Sequence, residues 1–267
     1  MIECIHPGVT AGKTKVVLFD FDGTLSLIRA GWFDVMVPMM VELLAECKNG
    51  ESEAELTAVV KEFVSRLTGK QTIYQMIELA EQIEKRGGTP KEPLVYKHMY
   101  LDRLHERIKD RLAELRNGQC SPDKYMVPGA RAMLEDLRDR GLTIYLASGT
   151  DEPFMKDEAR LLDVDKYCKG VFGALDDYKS FSKAILIQRI IGQAECRGDE
   201  FLGFGDGYVE IQNVKQVGGV AIGVATDEPH CLKVDEWKRQ RLIGVGADYI
   251  IPNYLEHKEL FQTIFPS

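Results

Sequence analysis

The chain has 267 residues, 45% of them hydrophobic and 28% charged, with a formal net charge of −8. That length suits one large domain or two smaller ones, and the balance is that of an ordinary globular protein with a sizeable core. The acidic charge and the lack of Lys/Arg runs argue against binding to nucleic-acid phosphates and point to a small-molecule partner.

The opening stretch MIECIHPGVTAGKTK has no apolar leader and no run approaches a membrane span, which predicts a cytoplasmic protein without membrane contact. Within it, GVTAGKT is too short between its glycines for a phosphate loop and precedes a strand instead of following one. The six cysteines are scattered, with no C-x-x-C pair, and read as reduced packing residues.

Residues 16–19, VVLF, form a short apolar run that predicts a buried strand, and Asp20 and Asp22 follow where that strand meets polar surroundings. Carboxylates two apart on extended backbone point the same way, and a divalent cation would relieve their repulsion. Taken alone, the Asp22-Gly23 pair is equally suited to a plain turn.

From Trp32 to Gln119 only helical spacing is found. Leu56, Val59, Val60, Phe63, Val64 and Leu67 make one stripe, Ile73, Met76, Ile77, Ala80 and Ile83 a second, and Leu101, Leu104, Ile108, Leu112 and Leu115 a third. Lys97 and Arg103 read as surface residues of that last helix. Lys70 interrupts the block in TGKQT, where the start of the next helix would favour an anion. Arg29 and Trp32 stand where the chain enters the block.

After VPGA the pattern alternates: helix 130–140, strand 142–147, helix 152–162, strand 170–172, helix 182–191, strand 201–204, helix 209–217, strand 220–224, helix 231–239 and strand 249–251. Alternation of this kind predicts an α/β fold, a Rossmann-like parallel sheet with helices on both faces. Residues 1–27 and 124–267 would form this core, and 28–123 an inserted all-helical lid.

Strand ends of a parallel sheet open on one edge, so Asp20, Asp22, Ser148 and Asp206 should converge there. The set suits phosphoryl transfer, in which positioning and charge neutralisation do most of the work. Asp20 can attack phosphorus and form an acyl phosphate. Asp22 can protonate the leaving oxygen and later deprotonate water. Ser148 and a lysine, Lys183 or Lys179, can hold the phosphoryl oxygens. Asp20, the Asp22 carbonyl and Asp206 offer the all-oxygen set that Mg2+ prefers, with Glu210 one helical turn on to hold a metal-bound water.

Asp20-Phe21-Asp22-Gly23-Thr24, Ser148, Lys183 and Gly205-Asp206-Gly207 with Glu210 resemble the four ordered motifs of the haloacid dehalogenase superfamily of phosphotransferases. The helical insertion resembles that superfamily's subclass-I cap. The resemblance covers Lys15 to about Val224 and implies an aspartyl-phosphate intermediate and Mg2+. Glu210 departs from the aspartate frequent there. Lys183 is favoured because it opens the apolar helix KAILIQRII. Thr24, Gly149, Arg29 and Lys70 complete the expected substrate-binding set. The expected reaction is hydrolysis of a small phosphorylated metabolite, a sugar phosphate or phosphoglycolate-like compound. Alternatives are a phosphomutase, an inorganic pyrophosphatase, and a non-catalytic binding protein on the same fold.

Overall fold

The computed structural model describes residues 2–175, 182–194 and 196–265. In chain order the elements are β1 (Glu3–Cys4), β2 (Val16–Phe19), α1 (Phe33–Ala45), α2 (Glu53–Leu67), α3 (Thr72–Lys85), α4 (Pro93–Arg116), α5 (Ala130–Asp139), β3 (Thr143–Asp151) and α6 (Glu152–Leu161). They continue with β4 (Cys168–Ala174), α7 (Lys183–Ala194), β5 (Phe201–Gly205), α8 (Tyr208–Gln216), β6 (Val220–Val224), α9 (Glu236–Gly244), β7 (Tyr249–Ile251) and α10 (His257–Ile264).

The chain divides into two compact units, Met1–Ala30 with Arg111–Ser267, and Gly31–Asp110. The second is narrower than the block 28–123 drawn from sequence, and one of its boundaries falls inside α4.

In the first unit the strands order as β1-β7-β6-β5-β2-β3-β4. Every pairing is parallel except that of β1 with β7. All four β2 residues are buried, as a strand covered on both faces requires. Helices α5 and α6 pack on β3, and α8 and α9 on β6. Phe19 and Phe204 stack with ring centroids 4.5 Å apart, and the Tyr254 ring lies against both. The order places a topological switch at β2: the chain runs outward through β3 and β4, then returns to β2's other side with β5. Ligands bind at such a point, beyond the carboxyl ends of the strands.

Three elements differ from the expectation. β1 is too short to carry a pattern, and α10 follows the last element expected, although Leu260, Phe261 and Ile264 repeat at helical spacing. The helix expected over 231–239 starts later, at Glu236, because Asp235 caps it by accepting from the Lys238 amide at 2.9 Å.

In the helical unit, α2 opens with a reciprocal Ser52/Glu55 capping box. Its stripe is buried at Leu56, Val60, Phe63, Val64 and Leu67, while on α3 the buried face runs through Leu79 instead of Ile77 and Ala80. Lys97, expected at the surface, is buried between Tyr96 and Tyr100 in the α4 sequence, both buried as well. Arg103 pairs with Glu42 at 2.8 Å. Among the described residues no helix is long and apolar enough to cross a membrane.

Candidate active site

Strand register builds the site. Phe19 is level with Leu146 on β3 and Phe204 on β5, and the Asp20 amide donates to the Phe204 carbonyl at 2.9 Å, extending the ladder to the end of β2. Asp20 therefore leaves the sheet between the two strands that deliver Ser148 and Asp206. The chain then turns sharply, with the Gly23 amide donating to the Ser26 carbonyl at 2.9 Å and Gly23 at φ 73°. A side chain there would bring its Cβ to 2.4 Å from Asp206 Oδ2, so glycine is required on both conformational and steric grounds.

Asp20 is buried, and Lys183 Nζ donates to its Oδ1 at 2.7 Å. Burial pushes the Asp20 carboxyl up to about 7; Lys183 opposes the rise, while Asp206 and Asp22 add to it. The same Lys183 ammonium contacts Glu210 Oε1, leaving Glu210 Oε2 buried without a partner. Glu210 can approach because Gly205 has no side chain: a Cβ there would lie 2.7 Å from that of Glu210. Lys179, the other lysine considered, lies outside the described residues.

Asp22 is held on one oxygen. Its Oδ2 accepts from Ser148 Oγ at 2.8 Å and from Thr150 Oγ1 at 2.9 Å. Its Oδ1 is buried, accepts no hydrogen bond and lies 3.9 Å from Arg29 Nε. Arg29 is itself buried in a forked pair with Glu158, with Nη2 to Oε1 at 2.7 Å and Nε 3.1 Å from both carboxylate oxygens. Burial pushes the Glu158 carboxyl up against the pull of Arg29.

Asp206 is fastened from two sides. Its amide donates to Thr24 Oγ1 at 2.9 Å, which commits the Thr24 hydroxyl to joining the two loops. Its Oδ2 accepts from Lys238 Nζ at 2.9 Å, and the same ammonium donates to Glu228 Oε1 at 2.8 Å. Burial works against the Lys238 charge, but Asp206 and Glu228 outweigh it and hold the ammonium above its usual range.

The core thus brings together Asp20, Asp22, Thr24, Arg29, Ser148, Lys183, Asp206 and Glu210, with Gly149 between the two hydroxyl residues of β3. Lys70 belongs to the helical unit, where its exposed ammonium lies 5.6 Å from the Tyr74 ring centroid. Thr150, Glu158, Glu228 and Lys238 were missed. Only Thr150 left a signal, since it stands two residues after Ser148 on extended backbone.

Among the described residues no three His, Cys, Asp or Glu side chains gather into a metal cage. The Asp20 and Asp206 carboxylates, near enough for the charge on one to raise the pKa of the other, still fit Mg2+. That ion is held by one or two carboxylates and keeps several waters. The repulsion by which Asp206 raises the Asp20 pKa is the kind a dication removes.

A family model for haloacid dehalogenase-like hydrolases matches residues 14–218. No protein in a search of curated sequences matches. Similar solved structures include a phosphonoacetaldehyde hydrolase-like protein from Oleispira antarctica, at 14% identity and TM-score 0.65 over 96% of this chain and 94% of that one. A predicted phosphoglycolate phosphatase from Haemophilus somnus 129PT aligns at 13% identity and TM-score 0.61 over 94% and 99%. A predicted phosphatase from Clostridium acetobutylicum aligns at 17% and 0.58 over 93% and 99%. At such identities the structures speak to fold alone. The family model covers most of the chain, including the Asp20 loop and the Asp206 loop, and so the protein belongs to the haloacid dehalogenase-like hydrolases.

Proposed function

We propose that the protein is a phosphoric monoester hydrolase that removes phosphate from a small soluble phosphoester, of the sugar phosphate or phosphoglycolate class, through an aspartyl phosphate on Asp20. The observation that carries the reading is the placement of the buried Asp20 at the switch point, with Lys183 on its Oδ1 at 2.7 Å and Asp22 in the turn that follows.

In the first half-reaction an Asp20 oxygen bonds to phosphorus as the ester P–O bond breaks, and protonated Asp22 gives its proton to the leaving oxygen. In the second, Asp22 takes a proton from water as that water attacks phosphorus and the bond to Asp20 breaks, which returns both carboxylates to their starting states. Lys183 offsets the charge that accumulates at Asp20, and Glu210 keeps Lys183 in place. Ser148 and the Gly149 backbone can donate to the phosphoryl oxygens. Asp20, Asp206 and the Asp22 carbonyl would hold Mg2+, with Glu210 Oε2 available to a water on it. When bound, Mg2+ neutralises phosphoryl charge. We further propose that selectivity for the non-reacting part of the substrate belongs to the helical unit, with Lys70 as a contributor.

Phosphate release from an aryl phosphate, with and without Mg2+ and in Asp20→Asn, tests this reading. Metal-dependent release that disappears in the variant is expected. Full activity in folded Asp20→Asn would overturn the covalent route. A screen of small phosphorylated metabolites by kcat/KM then fixes the substrate.

A further inference from the structure

Asp22 has two oxygens in unlike surroundings. Ser148 and Thr150 both donate to Oδ2, at 2.8 and 2.9 Å, while buried Oδ1 accepts nothing. The cause is local: β3 continues to Asp151, so residues 148 and 150 point to one side and Gly149 to the other. The Thr150 amide also donates to Ser148 Oγ at 2.9 Å, which orients the serine hydroxyl toward Asp22.

A hydroxyl carries a single proton. Ser148 therefore cannot hold Asp22 and donate to a phosphoryl oxygen at once. If it turns to the phosphoryl group, Asp22 keeps its orientation only through a second donor on the same oxygen. Thr150 is that donor.

We propose that Thr150 is a positioning residue for Asp22: it retains Oδ2 while Ser148 engages the phosphoryl group, and so makes Oδ1 the oxygen that delivers the proton to the leaving group. Arg29 Nε, 3.9 Å from Oδ1 and bound to Glu158 by its fork, stands too far away to hydrogen-bond that oxygen and leaves it free to act. The inference rests on the reading of Asp22 as the general acid.

The test compares Thr150→Val, Thr150→Ser and Asp22→Asn on an alkyl phosphate and on an aryl phosphate whose leaving group needs no proton. The readout is kcat/KM, which covers steps up to phosphoryl transfer to Asp20. Misplacing a reacting group by about 1 Å costs on the order of 100-fold, so Thr150→Val should lose about 10- to 100-fold on the alkyl phosphate. It should lose little on the aryl phosphate, and Thr150→Ser should restore the alkyl rate. Equal loss on both substrates, no loss on either, or no rescue by serine overturns the proposal. If Asp22→Asn discriminates between leaving groups and Thr150→Val does not, positioning fails while the role of Asp22 stands. If Asp22→Asn does not discriminate, the role of Asp22 fails and the proposal falls with it. Should the valine variant not fold, Thr150→Ala carries the same comparison.

Discussion

Asp20, the proposed nucleophile, shows how burial sets the titration of a single side chain. Its carboxyl is raised to about 7 chiefly by burial, so the fold favours the protonated form. The stabilisation this gives is complete below the unfolded value of about 4 and is lost as pH rises through about 7. Asp20→Asn does not titrate, so in the presence of a chelator its melting temperature relative to the parent should climb between about pH 4 and pH 7. A difference that stays flat over that range would show that the charged carboxylate is not penalised. Asp20, Asp22, Ser148 and Asp206 were legible because each follows an apolar run that ends at the sheet edge. Glu158 and Lys238 were not, because Arg29 and Asp206, which they pair with, come from segments distant in sequence. Lys97 misled for another reason: helical spacing marks a stripe of apolar residues but does not forbid a long polar one from being buried beside it.

Among elements, the turn after β2 is tightly constrained. Gly23 combines φ 73° with a Cβ position 2.4 Å from Asp206 Oδ2 and 3.0 Å from Glu228 Oε1. Alanine there adds backbone strain of about 1–2 kcal/mol and must displace Asp206. Since outer groups around a metal typically govern affinity by about 10- to 100-fold, Gly23→Ala should weaken Mg2+ or Mn2+ binding by a comparable factor in titration calorimetry. Unchanged binding would remove Asp206 from the metal site. Alternating helices and strands were readable from periodicity, and the parallel sheet from the rule that parallel neighbours need crossovers, but not the order of the strands in it. The late start of α9 was not, because it is set by the Asp235 cap and not by the apolar pattern. The shift matters to the site, since starting the helix at Glu236 is what lets Lys238, within its first turn, reach Asp206 and Glu228.

On the scale of the whole molecule, a continuous helical block interrupts an α/β core, and the switch from helical spacing to alternating helices and strands made this visible before any contact was known. What sequence could not supply was the boundary inside α4, because one uninterrupted helix carries the chain from one unit into the other with no break in its helical spacing. If the helical unit governs selectivity, Lys70→Ala should lower kcat/KM for the best natural substrate at least about tenfold more than for a small aryl phosphate, as loss of a charged contact worth 1.5–3 kcal/mol would. Equal effects on both substrates would assign Lys70 to the solvated surface.

The two-residue strand β1 has an importance out of proportion to its length. It covers the outer side of β7, pairing Glu3 with Ile250 and Cys4 with Tyr249, and its neighbours are tied down by Arg239 on Glu3 and by Tyr249 Oη on the Val9 carbonyl at 2.6 Å. Without it, the apolar edge Tyr249–Ile251 would present unpaired amides and carbonyls to any passing chain, the arrangement from which intermolecular sheets grow. Deleting residues 2–5 should therefore leave the chemistry of Asp20 in place but make the protein self-associate, seen as light scattering that rises with concentration.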